Sequence, residues 1–128
     1  MRVLLDTHVL LWAVGVSARL SSDTHAILRN GANQVYFSST SIWEIAIKQG
    51  LNRRDFDFRA DQIASIAVET GFVELPLRWP VAASVAVLPH HHRDPFDRLL
   101  VAQAIAEHLT LYTVDQRLTA YSELVQLV

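Results

Sequence analysis

The 128-residue sequence contains no cysteine. That excludes a disulfide framework, a thiolate zinc site and a cysteine nucleophile, and it suits a reducing compartment. Lysine is nearly absent, Lys48 being the only one. Long hydrophobic runs are missing too: the longest, Val9 to Val16, is far too short to cross a bilayer. The opening Met1-Arg2-Val3-Leu4-Leu5-Asp6 meets an acid too early for a secretion signal. The expectation is a soluble, cytoplasmic protein with no membrane association. No repeat, low-complexity stretch or interdomain linker interrupts the chain.

What is present fits a compact globular protein: 51% of the residues are apolar and 19% charged. The length suits a single domain over residues 1–128. The formal net charge is −2, whereas phosphate-binding proteins usually carry a basic excess. The objection weakens if acids are gathered around metal. With four of the thirteen acids set aside, nine remain against eleven Lys and Arg, a mildly basic remainder.

Apolar runs and helix signals alternate along the chain. Val3-Leu4-Leu5 is a buried-strand pattern stopped by Asp6-Thr7, and His8 to Val14 reads as a short helix. Asp23 to Arg29 is a helix behind Ser21-Ser22-Asp23, and Val35 to Ser38 is a second strand. Ser39-Thr40-Ser41 carries helix-start chemistry before the apolar face of Ile42 to Lys48, which Gly50 closes. Asn52 to Phe58 is a polar connection; Asp61 to Thr70 is a helix, and Gly71 leads to a strand at Phe72 to Leu75. Trp79-Pro80 to Leu88 predicts a helix entered through proline, and Asp94-Pro95 opens the longest apolar helix, to about Glu107. Leu109 to Val114 is a strand, Asp115 to Tyr121 a short helix, and Leu124 to Val128 a terminal strand. The alternation predicts right-handed βαβ crossovers and a three-layer α/β/α sandwich around a mostly parallel sheet of about five strands. Ligands of such sheets collect beyond the carboxyl ends of the strands.

Acids stand at those ends. Asp6 follows the first strand, Glu44 lies one turn into the helix after the second, and Asp115 follows the strand ending at Val114. Asp94 and Asp97 open the long helix, whose start reaches the same edge only if the preceding loop carries it there. Each acid alone has an ordinary explanation as a helix cap or a complement to the helix dipole. Asp94 before Pro95 fits an N-cap, and Ser41-x-x-Glu44 matches a capping box. Capping does not explain so many acids at one edge. At about 5 Å and a dielectric near 20, each carboxylate pair repels by roughly 3 kcal/mol, and a divalent cation relieves that. All-oxygen ligation favours Mg²⁺ or Mn²⁺.

Asp6-Thr7, Ser41-x-x-Glu44, the stretch Asp94-Pro95-Phe96-Asp97-Arg98-Leu99-Leu100-Val101-Ala102-Gln103-Ala104 and Thr113-Val114-Asp115 together resemble the PIN-domain family. Within it the chain is similar to the VapC-type toxins of bacterial toxin-antitoxin pairs, and the likeness spans essentially the whole chain. The resemblance implies metal-dependent endoribonucleolytic hydrolysis of RNA, a cognate antitoxin protein that covers the site, and a homodimer. It maps the family's acids onto Asp6, Glu44, Asp97 and Asp115, with Asp6, Asp97 and Asp115 as metal ligands and Glu44 as a ligand or a water-orienting base. Thr113 matches the family's small hydroxyl, which orients a carboxylate or the attacking water.

Other residues stay open. His90-His91-His92 is read as a solvated loop, since consecutive residues rarely converge on one ion, with contact to the RNA backbone alongside Arg93 and Arg98 as the other choice. Arg98 suits either an RNA-backbone contact or a salt bridge to Asp94 or Asp97. Lys48 suits a phosphate contact or an i,i+4 pair with Glu44. Trp12 and Trp43 are read as core, with a partner anchor as the other choice. Three rivals remain: a catalytically silent PIN-fold interaction module; a phospho-receiver, which needs a lysine after a late strand; and a flap-type DNA nuclease, which carries further acids and helical clamps.

Overall fold

The computed structural model describes residues 1–15, 18–52, 54 and 56–128; Val16 of the longest apolar run and residues 53 and 55 of the polar connection lie outside them. The elements run β1 (Arg2–Leu5), α1 (Thr7–Val14), α2 (Ser22–Arg29), β2 (Gln34–Ser38), α3 (Ser39–Gly50), α4 (Ala60–Thr70), β3 (Val73–Leu75), α5 (Trp79–Ser84), α6 (Pro95–Glu107), β4 (Thr110–Thr113) and β5 (Val125–Leu127). Short 3₁₀ turns cover Val85–Val87 and Gln116–Ala120.

The five strands form one sheet in the order β3-β2-β1-β4-β5, and all four pairings are parallel. β1 is central, with Leu4 beside Tyr36 on one side and Leu111 on the other. Its residues Val3, Leu4 and Leu5 are fully buried, because helices cover both faces. Alternation along the strand splits them. Val3 and Leu5 join Val9 and Leu10 of α1, Leu28 of α2, Ile45 of α3, and Ile63 and Ala67 of α4 in one core layer. Leu4 and Leu111 join Leu100, Val101 and Ala104 of α6, with Leu118 and Val125, in the other. The three-layer sandwich expected from the sequence is the observed one. Among the described residues no helix is long and apolar enough to cross a membrane.

Three boundaries differ from expectation for local reasons. The helix entered at Trp79 leaves α geometry at Ser84 and ends in a 3₁₀ turn, with Leu88 already extended at ψ 134°; Leu88 precedes Pro89, whose ring disfavours a helical neighbour. The last helix, after Asp115, is a 3₁₀ turn of five residues. α3 begins at Ser39, capped by the Ser38 side chain, which accepts from Thr40 N at 2.9 Å. Ser41 and Glu44 therefore lie inside the helix, and the capping box is not formed.

Gln103, buried on α6, binds α6 to the rest of the sandwich. Its Oε1 accepts from Ser38 Oγ, and its amide approaches the Leu75 and Pro76 carbonyls at 3.5 and 3.4 Å. α4 closes on Gly71 at φ 101°, a left-handed position that a side chain would strain.

Leu4→Ala should cost about 2–5 kcal/mol, the usual range for a fully buried leucine, in urea unfolding followed by circular dichroism. A cost near zero would mean that β1 does not divide the two core layers.

Candidate active site

The strand order places the sheet's switch point between β1 and β4. The chain leaves β1 toward β2 and β3, then returns across the sheet to β4 on β1's other side. At that point the loops diverge beyond the carboxyl ends and leave a crevice. Asp6 follows β1 directly, and Asp115 follows β4 by two residues. Glu44 projects from α3 after the neighbouring β2. α6 leads into β4 and so runs against the strands, which puts its first turn, with Asp97, at the same edge.

Thr113 links the two strand-end acids. Its hydroxyl donates to Asp6 Oδ2 and accepts from the Asp115 backbone N–H at 3.0 Å. Asp6 Oδ1 caps α1 by accepting from Val9 N at 2.8 Å. Burial pushes the Asp6 carboxyl upward, against these two hydrogen bonds, and nearby Glu44 adds to the rise. Thr7 performs a similar service for Glu44: its hydroxyl donates to Oε1 at 2.7 Å and lies 3.0 Å from Ser41 Oγ. Lys48 Nζ meets Glu44 Oε2 at 2.8 Å, the i,i+4 pair. Both Glu44 oxygens are thus oriented while the residue is 4% exposed.

Asp97 is the least satisfied acid. Its backbone N–H is taken by Asp94 Oδ1, the expected N-cap, at 3.1 Å. Its carboxylate has one nearby side-chain donor among the described residues, His92 Nε2, 3.4 Å from Oδ2. Burial, then the charges of Asp94, Asp6, Glu44 and Asp115, push its pKa up to about 7. Asp115 goes the other way. Arg117 Nε and Nη2 grip it at 3.1 and 2.9 Å and hold its carboxyl far below the usual range, assisted by His92 Nε2 at 2.8 Å. Of the two, Asp97 is therefore the more readily protonated.

His92 corrects the reading of a wholly solvated histidine loop. His90 and His91 are exposed, but His92 is buried between the acids. Its Nδ1 accepts the Asp94 N–H at 3.0 Å, so Nδ1 bears a lone pair and the proton is on Nε2, facing Asp115 and Asp97. His92 Nε2 and one carboxylate oxygen each of Asp97 and Asp115 lie within 4.8 Å of one another. Asp6 and Glu44 stand outside that triple, near enough for both to raise Asp97's pKa.

Among the described residues Arg98 forms no salt bridge to Asp94 or Asp97. Its guanidinium is buried and donates to the Pro89, Val85 and Leu88 carbonyls and to Tyr121 Oη. The same Tyr121 oxygen accepts from His91 N and His92 N at 3.1 and 2.9 Å. Arg98 and Tyr121 thereby fix the loop that carries His92 and the start of α6 to the site. Trp12 is partly buried against the core. Trp43 is not core: it is 58% exposed and meets Phe96 edge-on at 5.3 Å.

His92 and Arg117 were not singled out by sequence reasoning as partners of the acids. Arg117, two residues from Asp115, was visible as a close basic neighbour. Nothing in three successive histidines marks the third as buried.

Fold and site together define an open parallel α/β domain with a carboxylate centre at its switch point. The PIN domain family model matches residues 3–124, and the chain belongs to that family, whose members are generally nucleases. No curated protein matches it in sequence. Among solved structures the fold is similar to VapBC2 from Rickettsia felis bound to a promoter DNA fragment, with TM-score 0.70, 16% identity, and coverage of 100% of this chain and 98% of that one. FitAcB from Neisseria gonorrhoeae gives 0.59 and 20%, covering 98% and 95%. VapC20 from Mycobacterium tuberculosis, described as a toxin cleaving the sarcin-ricin loop, gives 0.61 and 18%, covering 92% and 93%.

A carboxyl raised from 3.8 to about 7 favours the folded state only while protonated. Its penalty is therefore absent below about pH 4, grows up to pH 7 and is complete above. Asp97→Asn removes that titration, so metal-free Asp97→Asn should gain stability over the parent as pH rises from 5 to 8, measured by thermal unfolding in a chelator. A variant that is less stable at pH 8 would show that Asp97 acts as a dipole-complementing acid instead. Long-range ¹⁵N–¹H correlation spectra should show His92 as the Nε2–H tautomer; a proton on Nδ1 would contradict the described orientation.

Proposed function

We propose that the chain is a VapC-type toxin: a divalent-metal-dependent endoribonuclease that hydrolyses RNA phosphodiester bonds and is held in check by a cognate antitoxin. The observation that carries this reading is the environment of Asp97, an acid pushed up to about 7 by burial and four carboxylate neighbours at the switch point. A group so placed is relieved by a cation, and its carboxylate is free to ligate one.

The donor set fits a hard ion. Asp6, Asp97 and Asp115 would hold it, with Glu44 as a fourth ligand or as the group that orients water. His92 presents N–H, not a lone pair, which leaves oxygen donors and favours Mg²⁺ or Mn²⁺ over softer metals. When bound, such an ion supplies a more acidic attacking water and charge neutralisation at the scissile phosphate. The chain's own residues do the positioning. Thr113 aligns Asp6 with Asp115, His92 holds Asp115 and Asp97 toward each other, and Thr7 and Lys48 fix Glu44 so that it can accept a proton from water. Arg117 is mostly exposed beside Asp115 and can turn toward substrate phosphate once a metal takes over that carboxylate.

Antitoxin binding is supported by the toxin-antitoxin names of the similar structures, VapBC2 and FitAB. The apolar cleft of α3 and α4 with exposed Trp43 at its wall is a fitting anchor. A homodimer, and residence in the cytoplasm, accord with the same reading.

Purified protein, freed of any partner, should cleave single-stranded RNA with Mg²⁺ or Mn²⁺ and leave DNA of the same sequence intact. A chelator should stop the reaction, and Asp97→Asn should slow it on the order of 10³-fold, the several kcal/mol expected from disrupting metal catalysis. Absence of metal-dependent cleavage from folded protein would favour the silent interaction module, and preference for DNA would favour the flap-nuclease class.

A further inference from the structure

Along the sheet edge β2, β1 and β4 deliver Glu44, Asp6 and Asp115 in that order, so the acidic row has two ends. Each end adjoins a cleft with no function so far. Beyond Glu44 lies a cavity of about 280 Å³ whose lining includes Trp12, Phe56 and Phe58 as rings, Arg19 and Lys48 as cations, and Thr7. Thr7 and Lys48 are the two residues that hold Glu44, which sets this cavity next to the acid row. Beyond Asp115 lies a larger cleft of about 710 Å³ that includes His91, His92, Arg93 and Arg117. His92 and Arg117 are the two side chains that hold Asp115. Among the described residues neither lining includes an acid.

The two clefts differ in chemistry. In the first, the Arg19 guanidinium lies 5.6 Å over the Trp12 ring centroid, and Phe56 meets Phe58 edge-on at 5.3 Å, with Phe58 38% exposed. Flat rings beside cations are the elements that stack a nucleobase and hold its phosphate. The volume falls just below the usual range for small-molecule pockets, which suits one base and little more. The second cleft has the exposed cations Arg93 and Arg117, and its exposed rings are the imidazoles of His90 and His91, the latter edge-on to half-buried Tyr121 at 4.9 Å. That composition favours backbone phosphate over stacked bases.

We propose that a single RNA strand crosses the acid row between these clefts, with one base seated among Trp12, Phe56 and Phe58 beyond Glu44 and its backbone lying against Arg93 beyond Asp115. The inference rests on the nuclease reading above and adds the strand's path. The aromatic cavity accepts any base by its face, so it contributes affinity and register, with little sequence preference. The scissile phosphate is the one that spans the row.

The test uses full-length protein in the non-cleaving Asp97→Asn background, with Mg²⁺ and a fluorescein-labelled single-stranded RNA, read by anisotropy over a salt series. Phe58→Ala should weaken binding about tenfold, the lower part of the range for a lost base stack, without changing the slope of log affinity against log salt. Trp12→Leu, which keeps apolar bulk toward the core, should do the same. An RNA with one abasic residue at the seated position should bind the parent about as weakly as it binds Phe58→Ala. Arg93→Ala should reduce the salt slope by about one. If the parent binds RNA and both ring variants bind it equally well, or if they lose as much affinity for the abasic strand as for the intact one, the base pocket is overturned while the nuclease reading stands. If the folded parent binds no RNA at all, the nuclease reading falls, and the strand path with it.

Discussion

Carboxylates repel, and this chain folds so that Asp6, Glu44 and Asp115 lie near enough to Asp97, at one edge of the sheet, for their charges to act on it. Everything at that edge answers to the repulsion. Burial excludes the water that would screen it, and the structure offsets part of the cost with hydrogen bonds from Thr113, Thr7 and His92 and with the charges of Lys48 and Arg117. The offset is uneven. Asp115 receives an arginine and a histidine and stays ionised, whereas Asp97 receives a single long approach and carries a pKa near 7. The unevenness leaves Asp97 the least compensated of the acids at this edge among the described residues.

Two devices carry Asp97 to that place. Asp94 caps α6 and Pro95 sets its first turn, so the helix starts where it does for local reasons. The loop before it is held from below by Arg98 and Tyr121, which saturate four carbonyl or hydroxyl acceptors and two backbone N–H groups among them. Farther along the same helix Leu100, Val101 and Ala104 enter the core, and Gln103 reaches the end of β2 and the residues after β3. The segment Asp94 to Ala104 thus combines a cap, an acid, a loop clamp and a packing face in three helical turns. Changing its register by one residue would misplace all four.

The fold was legible from local pattern because its signals are local. Fully apolar strands, turn residues and caps such as Ser21, Asp94 and Gly71 act over a few positions, and they placed every strand and helix within a few residues. The boundary at Leu88 depended on the neighbouring proline, and the start of α3 on whether Ser38 or Ser41 supplied the cap, a choice that turns on where Gln103 and Thr7 lie in space. The acids were legible as candidates through topology, since a parallel sheet directs the residues after β1, β2 and β4 to one edge. Their partners were not. Arg98 looked like a site residue and is a loop clamp; His92 looked like solvent-exposed loop and is buried between two carboxylates.

By itself the sequence determined the parallel α/β sandwich and marked Asp6, Glu44, Asp97 and Asp115 as candidates for one sheet edge, because periodicity, capping and strand-to-helix order are read within short stretches. Only the tertiary structure decided which acid stays under-satisfied, which histidine faces inward, that Arg98 is spent on the loop, and that a ring-lined and an arginine-lined cleft flank the acid row. Those outcomes depend on distances between residues tens of positions apart, and such distances are set by packing, not by any local preference.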